Sequence, residues 1–345
     1  MNIVVLCGGL CAERDVSIVS GRQIAGALIE REHRVLLLDL FLGYSETFTD
    51  PLDLFSGTLP ATEQSVASCA PDLAAVAAMR GGAAASRIGP AVLELCKAAD
   101  IVFLALHGED GENGRLQALF DLLQIRYTGT GYLGSALAMH KGIARDLLAQ
   151  HGICVAPGHV IRHGDMTGDV RYPCVVKPCS GGSSVATAIV HQASQLQVAL
   201  DAAFTEDAEI LIEDYIPGRE FSVGVLGDSA LPVIEICPKN GFFDYENKYQ
   251  ADLTDEICPA DLPADTAKKM QAIALAVHKT LHLAVYSRSD FILSKSGTIY
   301  CLEANTLPGM TPTSLLPQEA AAVGVDFGAL CDMIIELSLT KYRSC

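Results

Sequence analysis

Short apolar runs alternate with amphipathic stretches in the first third of the chain. The runs at 3–7, 35–38 and 101–106 predict buried strands, because each is short and ends at glycine, aspartate or a polar loop. The periodicity of residues 15–30 and 115–123 predicts helices. This alternation of strand and helix is typical of an α/β domain with a parallel sheet.

Residues 43–90 interrupt the alternation. This stretch is rich in Gly, Ser, Pro and Ala and contains one predicted helix near 72–80. We therefore expect an insertion on the surface of the first domain.

The pattern changes at about residue 130, after which strands are frequent. Helical periodicity covers about 132–150, 264–281 and 325–338. Further short runs predict strands at 173–177, 184–190, 208–213, 219–226, 232–237, 285–293 and 298–303. A strand-rich region that follows an α/β unit predicts α+β domains joined to it.

The composition excludes several classes of protein. Half of the 345 residues are hydrophobic and 19% are charged, which supplies a packed core and excludes disorder of the whole chain. The net charge of −17 argues against nucleic acid or an anionic membrane as a partner, since both bind clustered Lys and Arg. No apolar run approaches a membrane span, and no basic signal-peptide segment precedes the first strand, so we expect a cytoplasmic protein. The 12 cysteines lack zinc-like spacing, and we expect them to be reduced.

Two pairs of polar residues near the C-terminus predict a metal site. Arg288 and Asp290 share one face of a predicted strand, and Glu303 and Asn305 share one face of the next. If the turn between the strands centres on Ser296 and Gly297, Asp290 lies opposite Glu303 and Arg288 opposite Asn305. Two facing carboxylates repel each other unless a cation lies between them, and oxygen ligands suit Mg²⁺. A solvated sheet face is the alternative, and a shift of one residue in register would remove the argument.

A second motif predicts phosphate binding. A buried strand ends at Lys177, and a Gly/Ser turn at 181–184 follows it. Glycine lets backbone N–H groups converge on phosphate oxygens, and the lysine adds positive charge. The turn is not a Walker A loop, and an ordinary glycine-rich hairpin is the alternative.

Two features of the chain allow a dinucleotide site as an alternative. Residues 129–134 match G-x-G-x-x-G, but residues 149–156 lack the acidic residue that such a site requires. Asp39, at the end of the second strand, is better placed to hold a ribose, although the loop at 8–13 lacks the glycine fingerprint. An NAD-dependent oxidoreductase therefore stays open as a different class of function.

Taken together, motifs along nearly the whole chain resemble the D-alanine–D-alanine ligases of the ATP-grasp superfamily. The matching segments, in the family's order, are residues 8–17, 107–114, 127–137, 177–185, 244–249 and 303–311. The resemblance implies a three-domain ATP-grasp architecture of α/β and α+β domains with a Rossmann-like N-terminal domain. The implied domains are 1–129 with the insert at 43–90, 130–212, and 213–345 with the metal site.

The resemblance also implies the residues that bind ATP and its metal ion. Contacts to the phosphates, adenine and ribose are implied for Lys141, Lys177, Gly182, Ser183, Ser184, Glu213, Asp214, Ile216, Glu220 and Lys248. Mg²⁺, which Mn²⁺ could replace, is implied to bind Asp290, Glu303 and Asn305, in agreement with the strand-pair argument.

The same resemblance implies a site for two amino acids. Glu13 would bind the ammonium group of the first D-alanine, with Ser183 and Tyr249 in support and His107 beside the substrate. Arg288 and the backbone of Gly309 would stabilise the oxyanion. The second amino acid would lie against Lys248, Ser314 and Leu315.

The implied activity is the ATP-dependent joining of two D-alanine molecules through D-alanyl phosphate, with release of ADP and phosphate, for peptidoglycan synthesis. Use of D-serine or D-lactate as second substrate is one alternative, although Lys248, Tyr249 and Leu315 favour D-alanine. A non-catalytic ATP-binding regulator is another. The family suggests a homodimer.

The chain departs from the family's usual pattern at His140, Gly181 and Ala186, where Asp, an acidic residue and Gly are common. Cys179 and Cys301 are unusual neighbours of the implied phosphate and metal sites. We expect some sensitivity to thiol oxidation from these two cysteines.

Overall fold

The protein is described by a computed structural model that contains three β-sheets. It covers residues 1–59, 71–80, 86–182, 185–239, 254–311 and 313–343. Four residues with predicted roles lie outside the described residues: Ser183, Ser184, Lys248 and Tyr249.

The first sheet is parallel and has the strand order β2-β1-β3. The strands are β1 (Asn2–Cys7), β2 (Arg34–Asp39) and β3 (Ile101–Leu104). The helices of this region are α1 (Arg14–Glu30), α2 (Leu73–Ala78), α3 (Val92–Ala98), α4 (Glu109–Glu112) and α5 (Arg115–Leu122). β1 and β3 are almost wholly buried, as expected for the apolar runs of a parallel sheet covered on both faces.

The described part of the predicted insertion contributes to the core as well as to the surface. A short 3-10 helix (Pro51–Leu54) leads into Phe55, whose side chain is only 2% exposed and packs into the core of the first sheet. Ser56 then forms a backbone bridge with Val35 of β2. The insertion is therefore attached to the edge of the sheet.

The middle sheet is antiparallel and has the strand order β4-β7-β5-β6. Its strands are β4 (Gly158–Arg162), β5 (Cys174–Pro178), β6 (Ala188–Val190) and β7 (Glu209–Asp214). The helices of this region are α6 (Tyr132–Met139), α7 (Lys141–Gln150) and α8 (Ala193–Phe204). The predicted helical stretch at 132–150 consists of two helices, because His140 leaves the helical conformation and its side chain accepts the Ile143 N–H at the start of α7.

The third sheet is antiparallel and has the order β11-β10-β8-β12-β13, with β9 paired to β8. Its strands are β8 (Gly218–Leu226), β9 (Ser229–Ala230), β10 (Ile234–Pro238), β11 (Thr254–Ile257), β12 (Tyr286–Ser294) and β13 (Ile299–Asn305). The helices that follow or interrupt it are α9 (Ala264–Thr280), α10 (Leu315–Ala321) and α11 (Phe327–Thr340). Of these elements the sequence pattern missed β4, β9, β11, α3, α4, α8 and α10.

The C-terminal segment returns to the first sheet. On α11, Asp332 forms an ion pair with Arg31 and a hydrogen bond with His33, both just after the end of α1. The Lys341 ammonium donates to the carbonyl oxygens of Tyr127 and Gly129. These contacts fasten the C-terminal segment to the end of α1 and to residues 127–129. The domain boundaries at 129/130 and 212/213 stay predictions.

No helix among the described residues is both long and apolar enough to cross a membrane.

The glycines of the 129–134 motif serve the packing of the protein itself. Gly134 lies in α6, where an added Cβ would overlap the His282 carbonyl oxygen. The neighbouring Thr130 hydroxyl donates to the Ala284 carbonyl and accepts the Ala284 N–H. The close approach therefore joins α6 to the turn before β12, and the motif is used for packing.

Gly134→Ala is expected to lower the melting temperature. Overpacking against backbone costs about 1–3 kcal/mol, which exceeds the gain of up to about 1 kcal/mol from the better helix propensity of alanine. Gly57→Ala is the matched control, since no atom of the described residues lies within 4 Å of a Cβ at that position. Thermal denaturation of both variants checks this, and an unchanged melting temperature for Gly134→Ala would contradict the packing argument.

Candidate functional site

Two adjoining cavities lie between the sheets. The first, of about 280 Å³, is bounded by the loops after β1 and β3 and by the loop after β13. The second, of about 110 Å³, lies between the middle and third sheets. Lys141, Gly181, Gly182 and Glu303 line both cavities and so form their shared wall.

Each cavity gathers one predicted set of residues. The first is lined by the residues predicted to bind amino acids, namely Glu13, His107, Arg288, Gly309, Ser314 and Leu315. The second is lined by the residues predicted to bind ATP, namely Lys141, Lys177, Gly182, Glu213, Asp214, Ile216 and Glu220. Of the predicted metal ligands, Glu303 lies in both cavities, Asn305 in the first and Asp290 in the second.

The strand pair β12–β13 has the predicted register at the polar residues. Asp290 pairs with Glu303, and Arg288 pairs with Asn305. The uninterrupted ladder behind that prediction is wrong, however, because Phe291 pairs with Cys301 across a register shift. The turn centres on Ser296, half a residue closer to the N-terminus than assumed, and the extra residue of β13 restores the register at the site.

The Asp290 carboxylate is held by three neighbours. Arg288 donates to both of its oxygens, at 2.9 and 2.8 Å. Ser222 of β8 donates to Oδ1 at 2.8 Å, and Asn305 donates to Oδ2 at 3.1 Å. Burial alone would lower the pKa of Arg288, but the charge and hydrogen bonds of Asp290 raise it. The guanidinium is therefore charged and oriented at the edge of the first cavity.

The donor chemistry at β12–β13 fits Mg²⁺. Asp290 and Glu303 offer carboxylate oxygens and Asn305 an amide, which are the hard ligands that Mg²⁺ prefers. Within the described part of the chain, no group of three or more His, Cys, Asp and Glu side chains could hold a metal ion. A site with two carboxylates suits an ion that completes its coordination with water and substrate phosphates.

Two lysines, Lys141 and Lys177, line the second cavity. The Lys177 ammonium lies 2.7 Å from Glu213 Oε1, and both side chains are buried. Burial lowers the pKa of Lys177, but the charge and hydrogen bond of Glu213 outweigh it and raise the pKa overall. The Lys141 ammonium donates to the Gly181 carbonyl at 2.6 Å and lies 4.0 Å from Glu303 Oε2. Lys141 therefore lies in the shared wall and Lys177 in the second cavity.

The far end of the second cavity is formed by β7 and β8. The Asp214 side chain pairs with Arg171 at 2.6 Å, and the Asp214 N–H donates to the Pro157 carbonyl at 2.7 Å. Because that N–H is already used, a contact from Asp214 to a ligand would have to come from another atom. Ile216 and Glu220 also line this end.

The glycine-rich loop closes against Glu13. Glu13 precedes the first residue of α1, and its Oε2 would lie 2.8 Å from a Cβ added at Gly182 and 2.9 Å from one added at Gly108. A side chain at either position would displace the Glu13 carboxylate, and Gly108 also has φ 68°, where glycine is favoured. Gly181 has φ +105°, where glycine is favoured, whereas Ala186 has φ 53° and adopts at a steric cost a conformation that suits the family's usual glycine.

His107 lies in the wall of the first cavity with both ring nitrogens bound to the protein. Nδ1 donates to the Leu307 carbonyl at 3.0 Å, and Nε2 lies 3.3 Å from the Ser20 hydroxyl. Burial lowers the pKa of His107, against the charge of Glu13 and the hydrogen bond to Leu307, which raise it. It links the first sheet to the loop after β13.

Glu112 is a site residue that the sequence analysis did not single out. It lines the first cavity and accepts the N–H groups of Gly108, Thr306 and Leu307 at 3.0 to 3.2 Å. Burial, followed by the charge of Glu13, raises the pKa of Glu112 to about 7. The only signal in the sequence was its place in the acidic loop after His107.

The loop after β13 is shaped by Ser314. The Ser314 hydroxyl accepts the Thr311 N–H at 3.1 Å and lies 2.8 Å from the Thr311 hydroxyl. A Cβ added at Gly309 would lie 2.9 Å from the Ser314 hydroxyl oxygen. Gly309, Ser314 and Leu315 thus form one end of the first cavity.

Asp39 is not available to hold a ribose. Its carboxylate forms an ion pair with the buried Arg14, and its Oδ1 accepts the N–H groups of Phe41 and Leu42 at 2.8 Å. Gly8 packs directly against this carboxylate. The loop after β1 therefore encloses a side chain of the protein itself where a dinucleotide site would hold pyrophosphate.

The two cysteines beside the site are poorly placed for oxidation. Cys179 is 0% and Cys301 is 3% exposed. Burial raises the pKa of Cys179 to about 11 and raises that of Cys301 further. Since the thiolate is the reactive form, the structure reverses the expectation of oxidation sensitivity at these thiols.

Comparison with known families agrees with this arrangement. The family models described as D-ala D-ala ligase N-terminus and D-ala D-ala ligase C-terminus match residues 2–130 and 147–336.

Curated relatives match along nearly their whole length. A D-alanine–D-alanine ligase of Pediococcus pentosaceus is 40% identical, with 97% of each chain covered. One of Lacticaseibacillus casei is also 40% identical, with 99% of this chain and 97% of the relative covered.

A solved structure has the same fold. The crystal structure of D-alanine–D-alanine ligase from Bacillus anthracis complexed with ATP has a TM-score of 0.77 and 30% identity, and covers 100% of this chain and 99% of that one. Fold, family models and full-length relatives thus agree that the chain belongs to the D-alanine–D-alanine ligase family, with its ATP-grasp architecture.

Proposed function

We propose that the protein joins two D-alanine molecules into D-alanyl-D-alanine at the expense of ATP, through D-alanyl phosphate, and supplies peptidoglycan synthesis. The observation that carries this proposal is the pair of cavities with a shared wall of Lys141, Gly181, Gly182 and Glu303. A phosphoryl donor in the second cavity and a carboxylate in the first would meet at that wall. Relatives that are 40% identical over their full length carry the name of this ligase.

ATP would occupy the second cavity. Lys141 and Lys177 would neutralise its phosphates, while Glu213, Asp214, Ile216 and Glu220 would hold adenine and ribose. The proposal also keeps Ser183 and Ser184 as phosphate contacts and Lys248 as a ligand of phosphate and amino acid, as the motifs imply. Phosphoryl transfer depends chiefly on such positioning and charge neutralisation.

Mg²⁺ would be held by Asp290, Glu303 and Asn305, and when bound it would neutralise charge on the phosphates. Positively charged side chains of the protein would neutralise the remaining negative charge beside the metal ion. Arg288 is anchored by Asp290, and Lys141 lies beside Glu303.

The first D-alanine would bind with its ammonium at Glu13 and its carboxylate at the shared wall. After phosphorylation, Arg288 and the Gly309 N–H would stabilise the oxyanion formed when the second amine attacks. The proposal assigns Ser183 and Tyr249 to support Glu13, with His107 beside the substrate and Ser314 and Leu315 at the second amino acid.

Acyl phosphates hydrolyse readily, so the site has to exclude water. The contact of Gly182 with Glu13 covers the shared wall from one side. We also propose a cytoplasmic location and a homodimer, as the family resemblance implies, and light scattering of the purified protein would measure the latter.

The direct test measures ADP release with Mg²⁺ and D-alanine, alone and paired with D-serine or D-lactate, together with product mass. We expect ADP release with D-alanine alone and a product with the mass of D-alanyl-D-alanine. ADP release only in the presence of D-serine or D-lactate would show that one of these is the second substrate. No release from any mixture would contradict the ligase proposal.

Glu303→Gln is expected to reduce turnover about 100-fold or more. Loss of one carboxylate weakens charge stabilisation by several kcal/mol, and each 1.4 kcal/mol is a factor of about ten in rate. ADP release measured over a range of Mg²⁺ concentrations checks this. Near-normal turnover of the variant at limiting Mg²⁺ would exclude Glu303 as a metal ligand.

Glu13→Gln is expected to raise the KM for the first D-alanine about 10- to 100-fold. The reason is the loss of a charged hydrogen bond worth about 1.5–3 kcal/mol, while the KM for ATP should hardly change. Asp15→Asn is the matched control, because Asp15 lies on the same first turn of α1 but does not line the cavity. Unchanged amino-acid kinetics in Glu13→Gln would remove Glu13 from the site.

A further inference from the structure

Glu256 is a carboxylate in the first cavity that neither the motifs nor the proposed roles account for. It lies on β11, one of the two edge strands of the third sheet, and lines the cavity together with Arg288, Ser314 and Leu315. Its partner in the sheet is Ile236.

The pairing of four strands places Glu256 on the face of the sheet that carries Arg288. Ile236 pairs with Glu220, and Glu220 pairs with Ile292 of β12. Residues directly opposite each other share a face, and so do residues two apart on one strand. The row that contains Glu256 therefore faces the same side as Arg288 and Asp290.

Gln318 holds the Glu256 side chain toward the end of the cavity that Ser314 and Leu315 form. Its amide donates both to Glu256 Oε2 and to the Thr313 carbonyl, the latter at 2.8 Å. Within the described part of the chain, the second oxygen of Glu256 accepts no hydrogen bond. One oxygen is thus anchored, and the other is left to meet a ligand.

Four carboxylates line the first cavity among the described residues: Glu13, Glu112, Glu256 and Glu303. Glu112 accepts backbone N–H groups with both oxygens. Glu13 and Glu303 are assigned to the first ammonium group and to the metal ion. Of the four, Glu256 is the one on β11, held through Gln318 to the loop that ends at Ser314.

We propose that Glu256 binds the ammonium group of the second D-alanine and takes the proton that this group must lose before it attacks. The inference rests on the proposed ligase function. Burial raises the pKa of Glu256, against the hydrogen bond from Gln318 and the charge of Arg288, and a raised pKa strengthens the carboxylate as a base.

The proton balance of the step requires such a base. The incoming group is an ammonium, and one of its protons passes to the Glu256 carboxylate. The amine lone pair then forms the C–N bond, and the C–O bond to phosphate breaks with its electron pair on the phosphate. A second proton leaves the nitrogen with the phosphate as the amide forms, the third stays on the amide, and Glu256 later releases its proton to solvent.

Hydroxylamine separates this step from the formation of D-alanyl phosphate. Near neutral pH it is uncharged, so it can attack the acyl phosphate and form D-alanine hydroxamate without first giving a proton to Glu256; the one proton that its nitrogen loses leaves with the phosphate. Glu256→Gln keeps the size of the side chain and removes the charge. Asp255→Asn is the matched control, since Asp255 is the neighbour on β11 and pairs with Lys239 outside the cavity.

We expect Glu256→Gln to form dipeptide about 100-fold more slowly, the usual scale of general-base catalysis, while its hydroxamate rate stays near that of the unaltered protein. Asp255→Asn should keep both rates. A dipeptide rate within twofold of normal in Glu256→Gln would overturn the proposal, and so would an equal loss of dipeptide and hydroxamate. If the unaltered protein forms neither product, the proposed ligase function is wrong. If it forms both products but Glu256→Gln behaves like the unaltered protein, only the role of Glu256 is wrong.

Discussion

Two carboxylates facing each other across β12 and β13 are the constraint around which the site is arranged. Asp290 and Glu303 occupy directly opposite positions, which destabilises a sheet unless positive charge lies close by. Arg288 donates to both oxygens of Asp290, and Lys141 lies 4.0 Å from Glu303. In a chain of net charge −17, this concentration of cations is what would let the proposed site attract phosphates against the long-range field.

The sequence was informative where local chemistry decides the structure. Alternation along a strand places Arg288 beside Asp290 whatever the rest of the fold, so their shared face could be predicted. The register between Asp290 and Glu303 was also predicted, but through two compensating errors. The turn centres half a residue earlier than assumed, which changes each pairing partner by one, and a bulge in β13 shifts the ladder back. The hydrophobic pattern of the sequence predicts neither the bulge nor the position of the turn.

The sequence was uninformative where distant segments meet. His107 contacts Leu307, 200 residues away, and Glu112 gathers N–H groups from its own loop and from the loop after β13. A single sequence does not show which loops approach each other, so nothing distinguished Glu112 from the other acidic residues of its loop. Asp39 was misjudged for the same reason. Its position suits a ribose contact, but the ion pair with Arg14 depends on a loop conformation that only the structure shows.

A site that joins two zwitterions has to treat their ammonium groups differently. The first amino acid reacts through its carboxylate, so its ammonium group needs only a fixed anion. The second reacts through its nitrogen, which must lose a proton and so needs a base. Glu13, at the start of α1, and Glu256, on an edge strand beside Gln318, are the same residue type in different surroundings. Burial moves the pKa of Glu256 upward, in the direction that the second role requires. Such a division of roles between two carboxylates is set by environment, and here that environment is the packing of α10 against the edge of the third sheet.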